Sequence, residues 1–156
     1  MRELLSLLAI GFTSALFPLV NIEAYISVRA AVSGVGPVWL LSLAAALGQM
    51  VGKYLWYRLG ASSLGWGWVR RKIDKPSQRA RLELWRRRTD SRPFLAGCLV
   101  FVSAVVGLPP FAVLSVVAGQ LGMHLALFLG VGLAGRWLRF AAILGGVGWL
   151  EHLGVL

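Results

Sequence analysis

Three ionisable residues stand inside apolar segments at spacings that suit binding of a charged ligand. Arg136 and Arg139 are three residues apart in the last apolar segment, so they share one face of a helix. Glu23 follows Pro18 by five residues. A guanidinium pair matches the oxygens of a phosphate, and a nearby carboxylate can act as a counter-ion or proton carrier. The pattern predicts a substrate site with Arg136 as the main phosphate contact, Arg139 supporting it and Glu23 beside them. A purely structural ion pair fits the same residues, and the sequence leaves both interpretations open.

Other charged residues in apolar segments have simpler explanations. A charge at the centre of a bilayer costs about 2.5–3.5 kcal/mol on insertion scales, so each one needs a partner, water or an interface. Lys53 and Arg58 fall toward the end of the first long apolar segment, where we expect both side chains to reach the membrane surface. Arg136 is about eleven residues into its segment, where the same explanation is weakest.

The composition is that of an integral membrane protein. Of 156 residues 58% are hydrophobic, 14% are charged, and the mean hydropathy is +0.74. Soluble domains are closer to ~45–50% apolar. We find no paired-histidine zinc motif, no Gly-x-Ser-x-Gly elbow and no phosphate-binding glycine loop, and Cys98 is the single cysteine. We therefore expect neither enzymatic activity nor a cofactor or metal; the less favoured alternative is an intramembrane hydrolase.

Most of the net charge of +10 lies in one block. The positive-inside rule predicts that this loop stays in the cytoplasm. Because apolar segments flank it on both sides, we expect a multi-pass protein of the cell membrane. The loop's tether to membrane segments at both ends argues against nucleic acid as a partner. Residues 77–89 are predicted to form an amphipathic helix on anionic headgroups. The basic residues of the block are Arg70, Arg71, Lys72, Lys75, Arg79, Arg81, Arg86, Arg87, Arg88 and Arg92.

Proline and glycine break the apolar segments at membrane depth. Pro93 to Gly135 contains no acidic or basic residue other than His124, and as one helix it would run roughly 65 Å, twice the ~30 Å hydrocarbon core. Gly107, Pro109 and Pro110 interrupt it near its middle, and Pro18 interrupts the first apolar stretch. Broken hydrophobic segments are typical of transport sites.

The two halves around the basic block have the same organisation. We predict a single membrane domain, 1–156, made of a first repeat (1–60), a basic cytoplasmic loop (61–93) and a second repeat (94–156). Each repeat would hold a re-entrant hairpin of two short helices and then one transmembrane helix, from Pro37 to about Gly60 and from about Leu125 to Leu150. The fold class is thus an all-α polytopic membrane protein with an inverted repeat and both termini outside. Four kinked spans, with both termini in the cytoplasm, are the alternative.

Several stretches also resemble one family. They are Pro18 to Glu23, Gly48 to Gly60, Gly107 to Val113 continuing to Ala118-Gly119-x-x-Gly122-Met123, and Gly135-Arg136. In order and spacing they resemble the DedA family, also called the VTT-domain or SNARE-associated membrane proteins. The resemblance covers about residues 12–140. It implies an inverted repeat with two re-entrant hairpins, and translocation of lipids such as undecaprenyl phosphate or phospholipids.

The chain departs from the family pattern in two places. Only Glu23 remains of the longer acidic motif that many bacterial members carry in the first hairpin. The second break has Val106, Gly107 and Leu108 before its prolines where many members have arginine. In this it resembles a shorter branch with Gly-x-Pro-Pro, and the phosphate-binding arginines would have to be Arg136 and Arg139.

The predicted function is lipid translocation, as a flippase or scramblase, with membrane lipids and their phosphate headgroups as partners. A proton-coupled small-solute or efflux transporter is the first alternative, and a non-transporting membrane assembly factor the second. The sequence leaves the oligomeric state open, a homo-oligomer included.

Overall fold

The computed structural model describes residues 2–17, 22–33, 37–65, 67 and 76–153. Within these ranges the chain is helical, without strands, and seven helices follow one another: α1 (Arg2–Leu16), α2 (Ile22–Ser33), α3 (Val38–Ser63), α4 (Pro76–Ser91), α5 (Pro93–Val106), α6 (Phe111–Leu121) and α7 (Leu125–His152). Two short helices precede a long one on each side of α4, as predicted. Pro18 lies outside the described residues. Residue 66 and residues 68–75 of the basic loop also lie outside them.

Among the described residues, two helices are each long and apolar enough to cross a membrane. They are Val38–Ser63 and, within α7, Leu125–Gly146, in agreement with the two predicted spans. Many large apolar side chains on the helices are exposed, among them Leu47, Val51, Leu99 and Leu138. Continuous exposed apolar surface of this kind is what a helix presents to lipid. The all-α membrane fold predicted from the sequence is confirmed.

The starts and ends of the helices follow local signals. Pro37 precedes α3, and its carbonyl accepts hydrogen bonds from the Leu40 and Leu41 amides at 3.0 Å. Helix α5 is capped by Gly107 (φ 87°), whose N–H donates to the Ser103 carbonyl. Helix α6 is capped in the same way by Gly122 (φ 72°). Glycine adopts this left-handed conformation without the steric cost of a Cβ, so both helices stop where the sequence places glycine.

The chain forms two compact units. The first comprises residues 1–52 and 133–156, and the second residues 53–132. Helices α3 and α7 each contribute to both. This division concerns packing and does not test the predicted repeat boundaries.

In the first unit, α1 and α2 fold back on each other. A Cβ on Gly11 would lie 3.3 Å from Ile22 Cδ1, although eleven residues of continuous helix would separate the two positions by about 16 Å. Leu7 and Ile26 join the same core, which also contains Ala44, Ala45, Ala46, Phe140 and Leu144. Helices α1 and α2 therefore form a hairpin that packs on the first part of α3 and the last part of α7.

In the second unit, α5 and α6 also form a hairpin. The Arg86 guanidinium on α4 donates to the carbonyl of Gln120, near the end of α6, from Nε at 3.1 Å and Nη2 at 2.9 Å. Arg86 is only six residues before Arg92, which precedes α5. A continuous kinked helix would carry Gln120 about 40 Å away from Pro93. The end of α6 instead returns to the start of α5, which rules out a single kinked span for these residues.

Candidate functional site

The first-unit core determines where the predicted site residues lie. Ile22 and Ile26 on α2 are 2% exposed, and Phe140 on α7 is fully buried in the same core. Glu23 and Arg139 are the chain neighbours of two of these residues. Packing of α2 on α7 through the apolar core therefore brings a carboxylate and a guanidinium together.

Glu23 and Arg139 form a two-point ion pair. Arg139 Nε donates to Glu23 Oε1 at 2.6 Å, and Arg139 Nη2 donates to Oε2 at 2.9 Å. The Arg139 side chain is 23% exposed and that of Glu23 is 31% exposed. The planar guanidinium thus matches both carboxylate oxygens, a geometry that an ammonium group cannot reproduce.

Arg136 is the most buried member of the group, with 7% exposure. It precedes Arg139 by one helical turn and interacts electrostatically with both Glu23 and Arg139. We call Glu23, Arg136 and Arg139 the ionic cluster. With two arginines and one carboxylate, its formal charge is +1. Arg136 is eleven residues into α7, about 16 Å along the helix and near the middle of a ~30 Å hydrocarbon core.

A second polar contact lies in the same unit. The Trp137 indole Nε1 donates to the Trp39 carbonyl at 3.0 Å, and the two rings pack edge to face with centroids 5.6 Å apart. Trp137 follows Arg136 in the chain, so this contact fixes the rotation of α7 next to the ionic cluster. The sequence analysis did not single out this pairing, because 98 residues separate the two tryptophans.

The sequence also did not single out Gln49. This residue is 7% exposed, and its Nε2 donates to Ser14 Oγ at 3.1 Å. The Ser14 hydroxyl in turn donates to the Gly11 carbonyl. The signal that would have identified it is an amide side chain between apolar neighbours within a membrane span, since a buried amide in lipid needs hydrogen-bond partners.

Lys53 differs from the expectation that its side chain reaches the membrane surface. It is 6% exposed, whereas Arg58 on the same helix is exposed as expected. Lys53, Tyr57 and Gly60 recur at helical spacing and are all buried. The expectation for Lys53 was wrong because it considered depth along the helix and not the face that packs inward.

The second break itself contains no charged residue. Pro109 and Pro110 are exposed, and Gly107 is partly buried. The Ser103 hydroxyl, which is fully buried, donates to the Pro109 carbonyl at 2.7 Å. Helix α6 then starts with buried Phe111, stacked on Phe128. The sequence-derived site thus divides: Glu23, Arg136 and Arg139 meet in the first unit, while Gly107, Pro109 and Pro110 form an uncharged turn in the second.

Two hairpins of short helices, two spanning helices and an ion pair inside the apolar region define an integral membrane protein of re-entrant type. The family model described as the VTT domain matches residues 17–147. The chain belongs to the VTT-domain family, the family that the sequence motifs resemble. No curated protein and no solved structure matches the chain.

Proposed function

We propose that this protein moves lipids with phosphate-bearing headgroups, phospholipids or a polyprenyl phosphate such as undecaprenyl phosphate, between the leaflets of the cell membrane. The observation that carries the proposal is the ionic cluster, which has a formal charge of +1 and lies where the apolar helices α2 and α7 pack together. Buried charge in a membrane is costly, and where it occurs it marks substrate or ion pathways. Membership of the VTT-domain family, whose resemblance implies lipid translocation, supports it.

The chemistry of the cluster favours an anion as the substrate group. Glu23 accepts two hydrogen bonds from the Arg139 guanidinium and so keeps it oriented, while Arg136 lies one helical turn before Arg139. A phosphate monoanion arriving at the cluster brings its formal charge to zero, which lowers the electrostatic cost of placing both charges in a medium of low dielectric constant. In this proposal Arg136 contacts the phosphate, Arg139 supports it, and Glu23 stays paired with Arg139 as its counter-ion. The chain then acts as a transporter and not as an enzyme.

Purified protein in vesicles with leaflet-specific fluorescent lipids tests this function. Wild-type protein should accelerate exchange of a phosphate-bearing lipid between leaflets. Arg136→Lys and Glu23→Gln should fold and insert but lose at least about tenfold in rate, because lysine lacks the planar fork and glutamine lacks the charge. The matched controls are Arg87→Lys and Glu83→Gln, which alter an exposed pair on α4 and should retain the wild-type rate.

Each contrary result has a definite meaning. Retained exchange in a folded Arg136→Ala protein would remove the ionic cluster from the mechanism. No acceleration for any phospholipid or polyprenyl phosphate, with solute uptake in the same vesicles, would assign the protein to small-solute transport. If the vesicles show neither lipid exchange nor solute uptake, the remaining candidate is a non-transporting membrane assembly factor.

The proposed orientation places α4 in the cytoplasm and both termini outside, because α4 and its flanks carry most of the basic residues. A C-terminal reporter that is active only outside the cytoplasm should work, and a fluorescent protein that folds only in the cytoplasm should stay dark. The opposite pair of signals would contradict the orientation.

A further inference from the structure

A cavity of about 770 Å³ lies among α4, α5 and α6, all within the second unit. Its volume falls in the ~300–1,000 Å³ range of ligand sites. None of the ionic cluster residues lines it. An inference about its occupant therefore stands apart from the transport proposal.

One end of the cavity is cationic. Arg88 and Arg92 line it, with the Arg88 guanidinium 5.4 Å from the centroid of the Trp85 ring. Arg92 immediately precedes α5, whose first turn begins at Pro93. The amide groups at a helix start carry partial positive charge, which adds to that of the two arginines. This end of the cavity suits an anionic group.

The rest of the cavity wall is apolar. Leu95 and Leu99 on α5 and Val117 and Leu121 on α6 contribute to it. Leu95 is 50% exposed and Leu99 is 65% exposed, so this wall presents large apolar side chains to whatever fills the cavity. The wall begins at the cationic end and continues along the hairpin. A ligand that fits both parts has one anionic head and a hydrocarbon chain.

The direction of α4 agrees with such a ligand. The axes of residues 83–89 of α4 and of α5 meet at 92°. If α5 enters the membrane, α4 lies along the surface, with Trp85 at the depth of the headgroups, where indole rings are enriched. The arginines then stand at headgroup level, and the leucines stand at the level of acyl chains.

We infer that this cavity binds one anionic phospholipid of the surrounding bilayer, with the phosphate at Arg88 and Arg92 and an acyl chain along Leu95, Leu99 and Val117. The lipid fastens the basic helix α4 to the second hairpin. Charge complementarity selects an anionic lipid over a zwitterionic one, and the exposed leucine wall selects a lipid over a soluble phosphate compound.

Lipid binding to the full-length protein in detergent tests the inference by native mass spectrometry. Phosphatidylglycerol and phosphatidylcholine with identical acyl chains are titrated separately. Wild-type protein should bind one phosphatidylglycerol more tightly than phosphatidylcholine. Arg88→Ala and Arg92→Ala should each weaken phosphatidylglycerol binding about fivefold and phosphatidylcholine binding less, because the choline cation already offsets the charge of its phosphate. Arg87→Ala, which removes the same charge from a side chain that is 77% exposed and does not line the cavity, should change binding less than about twofold.

A second pair of variants tests the apolar wall. Leu99→Asn should weaken binding of both lipids, whereas Val102→Asn, at an exposed position on the same helix that does not line the cavity, should not. Equal affinity for the two lipids, or an Arg87→Ala effect as large as that of Arg88→Ala, would overturn the inference. A dimer that is lost in Arg88→Ala, without lipid binding in the wild type, would assign the cavity to a second copy of the chain and also overturn it. These measurements need no transport activity, so their failure and that of the transport proposal can be told apart.

Discussion

The first hairpin (α1 and α2) and the second hairpin (α5 and α6) are built alike but differ in their polar chemistry. In the first, Glu23 lies at the start of α2 and binds Arg139. The second, from Pro93 to Leu121, contains no charged residue. Its turn depends on the neutral hydrogen bond from Ser103 to the Pro109 carbonyl.

Both hairpins nevertheless reach close helix contacts by the same means. A Cβ on Gly48 of α3 would collide with the Leu8 carbonyl of α1, and a Cβ on Gly60 would collide with the Val116 carbonyl of α6. Small residues let helix backbones approach in lipid, where the hydrophobic effect does not drive association. Since the second hairpin contains no charged residue of its own, a hairpin of this kind can pack without an ion pair inside it. This contrast is the reason to look for function at Glu23, Arg136 and Arg139.

The largest effect is expected where helices touch backbone to backbone. Gly48→Ala in the first unit and Gly119→Ala in the second each place a Cβ against a carbonyl, of Leu8 and of Tyr57 respectively. Overpacking costs about 1–3 kcal/mol and more where backbone must move, so both variants should lose most of the folded protein. Size-exclusion profiles and Tm in detergent measure this. Gly130→Ala is the control, because its Cβ meets no atom within 4 Å. If only one of the two variants lost folded protein, the two hairpins would not depend on close backbone contact in the same way.

The next effect separates the two hairpins. A double-mutant cycle of Glu23→Gln and Arg139→Gln should give a coupling free energy of about 1–3 kcal/mol, because both hydrogen bonds of the pair involve charged groups. The same cycle on the exposed pair Glu83 and Arg87 should give about 0.3–0.5 kcal/mol. Reversible unfolding in mixed micelles provides both values. Equal coupling in the two pairs would mean that the surroundings of Glu23 add nothing to its ion pair.

Apolar length and turn residues predicted most of the fold. The interval between Pro37 and the basic block fixed one span, and Gly107 and Gly122 marked the ends of two short helices, because glycine and proline act within one turn of the chain. The partners of Glu23 were predicted as a set, since lipid forces charges to meet. That Arg139 makes the two-point contact with the carboxylate could not be predicted, because it depends on the rotation of α7.

Lys53 is a second residue whose surroundings depend on the rotation of its helix, which the sequence does not determine. Its position along α3 was clear from the sequence, but the face that packs inward follows from where Gly60 meets Val116. Contacts between distant segments decide such rotations, and neither hydropathy nor helical period contains them. The hydrogen bond from Tyr57 to the Met123 carbonyl is hidden for the same reason, since 66 residues separate its partners.

Tyr57→Phe should have a moderate effect on stability and none on transport. It removes the hydroxyl that donates to the Met123 carbonyl but keeps the ring stacked on Phe128, at a centroid distance of 5.2 Å. We expect a loss of about 1 kcal/mol in the free energy of unfolding, since one buried acceptor loses its donor. Unfolding in mixed micelles and lipid exchange in vesicles measure the two quantities. A well-folded Tyr57→Phe protein that no longer exchanges lipid would show that the second unit also takes part in transport.

The smallest effect distinguishes two buried serines of the second hairpin. Ser103 donates to the Pro109 carbonyl in the turn at 2.7 Å, whereas Ser115 donates to the Phe111 carbonyl one turn back in its own helix at 2.6 Å. In an α-helix that carbonyl also accepts the N–H of residue 115, so it keeps a donor when the hydroxyl is removed. Ser103→Ala should therefore cost about 1 kcal/mol and Ser115→Ala only a few tenths. Tm values of the two variants measure the difference. If Ser115→Ala is the more destabilising of the two, the uncharged turn is not what holds the second hairpin together, and the contrast with the charged first hairpin would have to be drawn elsewhere.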